Sequence, residues 1–227
     1  MEQDRGATVK LLDLFCGAGG ASFGYARHFK TVVGVDLRPQ PNYPLAFIRH
    51  DAMALPLDFL RLFDAIHASP PCQAFTAYRR KGMGVGEGYP DLIEPTRLML
   101  RESGVPYVIE NVAGAPLIEP VRYCGSSFGL DVRRHRYFES SVRLEAPPCW
   151  HERQKPGRFP GATNRKPNSR ATVEIGVWRI PVAIQREAMG IDWMNLEELS
   201  EAVPPAYTQH IGAQLLCSIL DSRRLAA

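Results

Sequence analysis

The chain lacks any apolar run approaching the ~18 residues that a membrane-spanning helix needs. Arg5, Lys10 and Asp13 interrupt its N-terminal stretch, so a secretory leader is not expected either. Internal repeats and low-complexity tracts are missing, which excludes solenoids and arrays. Cysteine is scarce: the count is five, an odd number in a chain long enough to bury a core without staples. A disulfide framework is therefore not expected, and a reducing, cytoplasmic setting is. There is no GxxxxGK[ST] motif to cradle the phosphates of a nucleoside triphosphate. A strong charge imbalance is lacking too, with a net charge of only +3.

What is present is an ordinary globular mix, 45% hydrophobic and 22% charged over 227 residues. That length suits one large domain or a domain with a small insert. The positive charge is concentrated at 151–170, where Arg153, Lys155, Arg158, Arg165, Lys166 and Arg170 face one acid, Glu152. The rest of the chain is slightly negative. One basic patch on a near-neutral body suits contact with a polyanion at one place, although a charge run alone is also what a solvated loop shows.

The N-terminal half alternates strands with helices. Strands are expected at 9–14, 31–36, 63–68 and 105–110, and helices at 21–29 and from Asp91 to a stop at Gly104. Such alternation predicts an α/β sheet with ligand sites at the carboxyl ends of its strands. Pro, Gly, Asn and Arg make 145–170 irregular. Helical patterns return at 184–189, 196–202 and 207–220. The expected organisation is an α/β body at 1–139, a small basic insert at 140–179 and a helical segment at 180–227 that packs back on the body.

Four motifs carry chemistry. Residues 13–20 (DLFCGAGG) place glycines at a strand-to-helix junction, where backbone N–H groups can approach a ligand, and Asp36 ends the next strand, where a carboxylate can take ribose hydroxyls. That pair alone is common to many nucleotide folds. Residues 69–76 (SPPCQAFT) hold Cys72 in a proline-stiffened loop at a strand end, the position of a nucleophile. Glu110 and Asn111 end another strand, and a buried carboxylic acid there can donate to a ring nitrogen. In 132–138 (VRRHRYF), an extended backbone would put Arg134 and Arg136 on one face, suited to a phosphate and a polar base edge.

In this order and spacing the motifs resemble those of the cytosine-C5 DNA methyltransferase family, over nearly the whole chain except the basic insert. The resemblance implies a Rossmann-like S-adenosylmethionine-dependent methyltransferase sheet flanked by helices. It implies a cofactor site built from Asp13, Phe15, Gly17, Gly19, Gly20, Asp36, Leu37, Asp51, Ala52 and Pro71. Cys72 would attack C6 of a flipped-out cytosine, Glu110 would meet N3, Arg136 would hold O2, and Arg134 would support the site or a nearby phosphate. Arg79, Arg80 and Lys81, in a glycine-rich stretch resembling the family's mobile loop, and the cations of 151–170 would contact double-stranded DNA. Residues 180–191 resemble the family's later helix with an arginine–glutamate pair, and 209–216 its closing motif. A monomer on DNA is expected, in a bacterial or phage-encoded cytoplasmic enzyme serving restriction-modification or phage protection. Other readings of the same motifs are a tRNA substrate, a non-catalytic DNA-binding relative, or transfer of a different group to C5.

Two positions depart from the family pattern: Val132 stands where it has glutamine, and Ala213 where it usually has asparagine. Cys149 and His151, with Cys124, give three zinc-ligand types but no CxxC pair and no evident fourth, so no metal is expected. The insert is short for a target-recognition segment and offers few side chains to base edges. The target sequence should accordingly be short or relaxed. Mapping methylation across all dinucleotide contexts checks this, and a strict site of roughly six or more base pairs would count against it.

Overall fold

In the computed structural model, residues 8–72, 91–153 and 172–225 are described. Seven strands form one sheet: β1 (Lys10–Leu14), β2 (Thr31–Asp36), β3 (Ala46–Arg49), β4 (Ala65–Ala68), β5 (Tyr107–Asn111), β6 (Val121–Tyr123) and β7 (Arg136–Ser140). Their order is β3-β2-β1-β4-β5-β7-β6. The first five pair in parallel, and β7 runs antiparallel to both β5 and β6. Central strands β4 and β5 are buried at every position, as parallel strands covered on both faces must be. The strand order reverses between β1 and β4, which opens a crevice at their carboxyl ends.

Strand 31–36 lies where the sequence pattern places it, and the other expected strands start one or two residues later. Edge strand β3 is mostly exposed, so no apolar alternation announces it. The helix expected over 21–29 is shorter: α1 covers Gly20–Tyr25, and its last turn continues as bonds from the His28 and Phe29 amides to the Tyr25 carbonyl. A short helix, α2 (Leu57–Leu60), precedes β4, and α3 (Ile93–Ser103) precedes β5. The Asp91 carboxylate accepts the Ile93 amide at 3.0 Å, and Gly104, with φ of 72°, closes α3 in the left-handed region that glycine favours.

The C-terminal helices are α4 (Val182–Met189), α5 (Leu196–Glu201) and α6 (Pro205–Leu225). A reciprocal capping box between Asn195 and Glu198 starts α5. Three apolar clusters follow from this layout. One lies on the sheet face covered by α1 and α6, with Tyr25, Phe29, Tyr123, Phe138 and Tyr207. A second lies on the opposite face beneath α2 and α3. The third joins Ala18, Val132, Val173, Ile180, Met189 and Leu199. No helix among the described residues is long and apolar enough to cross a membrane.

Helices α1 and α6 pack closely, since a Cβ on Gly24 would lie 2.1 Å from Thr208 Oγ1 and 2.2 Å from the Pro205 carbonyl oxygen. Helix propensity favours Gly24→Ala by about 1 kcal/mol. Overpacking against a backbone carbonyl costs more, about 1–3 kcal/mol or above. The variant should therefore be less stable, with a midpoint several degrees lower in a thermal melt, at roughly 2–4 °C per kcal/mol for a chain of this size.

Candidate active site

The crevice is bounded by the turn after β1 and the loop after β4. In the first, Phe15 has φ of 56° and Gly17 of 48°. A left-handed backbone at a phenylalanine stores about 1–3 kcal/mol, which the surrounding packing must hold in place. A Cβ on Gly17 would meet nothing within 4 Å, so this turn faces open space. The Gly17 amide donates to Asp36 Oδ2 at 3.0 Å, and the Arg38 amide to Asp36 Oδ1 at 2.9 Å. The Asp36 carboxylate, half-exposed at the end of β2, is thus fixed beside the turn with lone pairs to spare for diol hydroxyls. Next to it Leu37 is 66% exposed, an apolar surface beside a polar anchor. Asp51 is exposed and caps the 3-10 turn Ala52–Ala54 through the Met53 amide, while Ala52 is buried behind it. Pro71 is half-buried at the crevice edge.

Other residues of the first motif face inward. Asp13 is buried and accepts the Ser22 hydroxyl, and Ser22 in turn accepts Tyr43 Oη at 2.7 Å. Burial pushes the Asp13 carboxyl up to about 7, and its Oδ1 has no hydrogen-bond partner. Gly19 caps α1 and Gly20 begins it, against the backbone of Val203. The Trp193 indole donates to the Ala18 carbonyl at 2.8 Å, so α4 and α5 are tied through their connection to the same turn.

Cys72 stands half-buried in the loop after β4. That loop is held from the neighbouring strand, where Asn111 Nδ2 donates to the Pro70 carbonyl at 2.9 Å. Glu110, one residue earlier, is buried, and its Oε1 lies 3.0 Å from Arg136 Nε. The two meet because Glu110 pairs directly with Phe138, placing Arg136 on the same face one diagonal step away. Close as it is, this contact is an ion pair, and Oε1 makes no hydrogen bond among the described residues. Burial raises the Glu110 carboxyl, opposed by Arg136 and by a hydrogen bond from the Ser69 side chain. A carboxyl kept closer to its protonated state can donate as well as accept. Burial also raises the Cys72 thiol, Glu110 raises it further, and Arg136 pulls it down.

Arg134 has φ of 35°, so β7 starts only at Arg136 and the period-two expectation fails at its first residue. The Arg134 guanidinium donates from Nε to the Ala202 carbonyl at 2.8 Å and from Nη2 to the Ser200 carbonyl at 2.6 Å, and its charge acts on Arg136, Glu110 and Cys72. These are carbonyls at the carboxyl end of α5 that a helix leaves unpaired. Val132 is 1% exposed in the third apolar cluster, which accounts for an apolar residue at that position. Ala213 is half-buried on α6.

The sequence pattern missed two participants. His67, buried in β4, contacts Tyr25 Oη at 3.1 Å and Ser69 Oγ at 2.9 Å, linking the core to the hydroxyl that reaches Glu110. Burial lowers its pKa to about 3, so it acts as a neutral imidazole. The signal was a histidine inside an otherwise apolar strand. A second cluster, away from Cys72, brings His135 beside Cys124, Cys149 and His151. Arg79, Arg80, Lys81, Lys155, Arg158, Arg165, Lys166 and Arg170, and the side chain of Arg153, lie outside the described residues.

The strand order, the antiparallel β7 and the position of the crevice define a Rossmann-like fold of S-adenosylmethionine-dependent methyltransferases. Solved structures agree. The chain is similar to a candidate DNA modification methyltransferase encoded within an E. coli prophage (TM-score 0.61, 15% identity, 94% of this chain and 99% of that one). It is similar to S. pombe Dnmt2 methyltransferase (TM-score 0.61, 12% identity, 93% and 99%) and to a mutant of Spodoptera frugiperda DNMT2 (TM-score 0.58, 15% identity, 92% and 99%). At 12–15% identity these likenesses show the fold. A family described as RNA cap guanine-N2 methyltransferase matches residues 8–53, the β1–β3 region alone. No curated protein sequence matches the chain.

The electrostatics of Cys72 give opposite signs for two variants. Glu110→Gln removes a nearby negative charge, so iodoacetamide labelling of Cys72 at pH 8 should rise by about 3-fold or more; Arg136→Ala should lower it comparably, one pKa unit being tenfold in thiolate. Peptide mass spectrometry across pH 7–10, resolving Cys72 from exposed Cys217, checks both.

Proposed function

We propose that this protein transfers a methyl group from S-adenosylmethionine to C5 of a flipped-out cytosine in double-stranded DNA. The observation that carries the reading is the meeting of Cys72, Glu110 and Arg136 where the carboxyl ends of β4 and β5 adjoin the amino end of antiparallel β7, beside the turn at Gly17. A cofactor with a ribose and an apolar base fits the other half of the crevice. Asp36 offers carboxylate lone pairs, Leu37 an exposed apolar face, and Gly17 unfilled space. When bound, S-adenosylmethionine supplies an electrophilic methyl group.

The chain's own residues do the rest. The Cys72 sulfur, as thiolate, adds to C6 of the ring and makes C5 nucleophilic. Burial raises the Cys72 thiol and the Arg136 cation opposes that rise, so Arg136 is the residue that favours the thiolate. Glu110, with its buried Oε1 free of any hydrogen bond, donates a proton to N3 as charge develops there. Arg136 holds the base O2 while compensating Glu110. Arg134 is a positioning residue, locking the entry to β7 onto the end of α5. Once C5 carries the methyl group, its proton passes to water, N3 returns its proton to Glu110, and expulsion of the Cys72 sulfur as thiolate restores the aromatic ring and the enzyme. Residues 140–179 supply the phosphate contacts, and Trp178, 81% exposed just past the basic stretch, offers a stacking face to a base.

The test is nucleoside mass spectrometry on DNA and tRNA from cells that lack other cytosine methylases and express the wild type or Cys72→Ser. The expected result is 5-methylcytosine in DNA with the wild type only. 5-Methylcytosine confined to tRNA would move the substrate to RNA. No modified cytosine in either pool would refute the reaction.

A further inference from the structure

Outside the crevice, the fold gathers Cys124, His135, Cys149 and His151 with their ligand atoms all within 4.8 Å of one another. Cys124 is buried and the other three are half-buried. Cys124 Sγ lies 3.2 Å from His151 Nε2, and Cys149 Sγ lies 3.6 Å from His135 Nε2. In a tetrahedral zinc site with ordinary Zn–S and Zn–N bonds, ligand atoms stand about 3.3–3.8 Å apart. The four atoms therefore need to close by at most about 1.5 Å around an ion of that size.

The backbone explains why these four meet. Tyr123 pairs with Arg136 at the end of the β6–β7 ladder, so Cys124 and His135 are the next opposite residues, and the Gly125 amide bonds the Arg133 carbonyl at 2.8 Å just beyond. The other two ligands arrive on the strand of chain leading to the basic stretch. That chain is pinned by Ser127 Oγ on the Pro148 carbonyl at 2.8 Å and by the Trp150 amide on Ser126 Oγ at 3.0 Å. Cys149 and His151, one residue apart, are thereby presented to the hairpin end.

We propose that Cys124, His135, Cys149 and His151 bind one structural Zn²⁺ ion. Two thiolates and two neutral imidazoles make a softly coordinating S₂N₂ set, the kind that selects zinc over hard cations. Binding displaces the two thiol protons, and the complex of Zn²⁺ with two thiolates is neutral, which suits a half-buried position. Four protein ligands leave no open coordination position, so the ion is structural and not catalytic. It ties the end of β6, the start of β7 and the root of the basic stretch into one knot. His135 sits between Arg134 and Arg136, so the knot also fixes the backbone that carries Arg136 to Glu110.

The inference does not depend on the proposed reaction, and its readout is metal, not methylation. The full chain, purified without chelator or affinity-tag histidines, is assayed by plasma mass spectrometry and by thiol counting. The expected result is about one zinc per chain, falling at least about tenfold in both Cys149→Ser and His151→Ala. Cobalt substitution should give the visible bands of a tetrahedral site and a thiolate charge-transfer band, both lost in Cys149→Ser. Phenanthroline should lower the wild-type melting midpoint and leave that of Cys149→Ser unmoved. Protein with four intact ligands, no zinc and no affinity for added zinc or cobalt would overturn the proposal. A disulfide between Cys124 and Cys149, seen as a 2 Da mass loss under non-reducing conditions, would overturn it as well.

Discussion

A carboxylate and a guanidinium facing each other at the buried end of two antiparallel strands set the terms for the rest of the molecule. Glu110 and Arg136 can meet only if β7 is inserted antiparallel between β5 and β6 in the observed register. A slip of one residue would turn Arg136 to the opposite face of the sheet. A buried pair of this kind contributes little net stability, because desolvation offsets attraction, yet removing one partner leaves a charge stranded. Much of the surrounding architecture serves to hold that register. Arg97 bridges both oxygens of Glu139 at 2.7 Å, joining α3 to β7 three residues beyond Arg136. Tyr207 Oη donates to the Arg133 and Arg134 carbonyls just before the strand begins. The strained backbone at Arg134 is held by these contacts and by its own grip on the end of α5.

The C-terminal helices are part of this support, not an appendage. Helix α6 lies so close to α1 that glycine is required at position 24, and α4 and α5 share a core with Ala18 from the turn after β1. The Gln185 amide, fully buried, spends its oxygen on the Gly176 amide and its nitrogen on the Val177 and Ile180 carbonyls. The chain returning from the basic stretch is thereby stitched to α4. Residues that begin and end the sequence thus enclose the same turn, and the crevice inherits rigidity from both.

Much of this was legible from residue order. The β-branched run at 31–36, the glycines after β1 and the helix closed by Gly104 follow from local propensity, which the tertiary structure leaves undisturbed. The exposed edge strand β3 was hidden because almost none of it is buried. Cys72, Glu110 and Arg136 were readable as motif residues because each sits at a strand end. The positive φ at Arg134 was not readable, since it is stabilised by contacts from residues 66 to 74 positions away. His135 was hidden as a partner of Cys124 for a similar reason: the hairpin that opposes them is a non-local pairing, and spacing along the chain cannot reveal it.

One feature of the basic stretch bears on how such a protein changes over generations. Its entry, at His151, rests against His135, and on its exit side the Val173 amide bonds the Asp131 carbonyl at 2.8 Å. Both flanks therefore rest on the same short stretch of chain, 131–135. An excursion that starts and finishes at one place can be lengthened, shortened or exchanged wholesale without disturbing what lies beneath. Closing a loop twice as long costs only about 0.6 kcal/mol more. The molecule carries a socket whose contents are free to diverge while the sheet and its buried pair stay as they are.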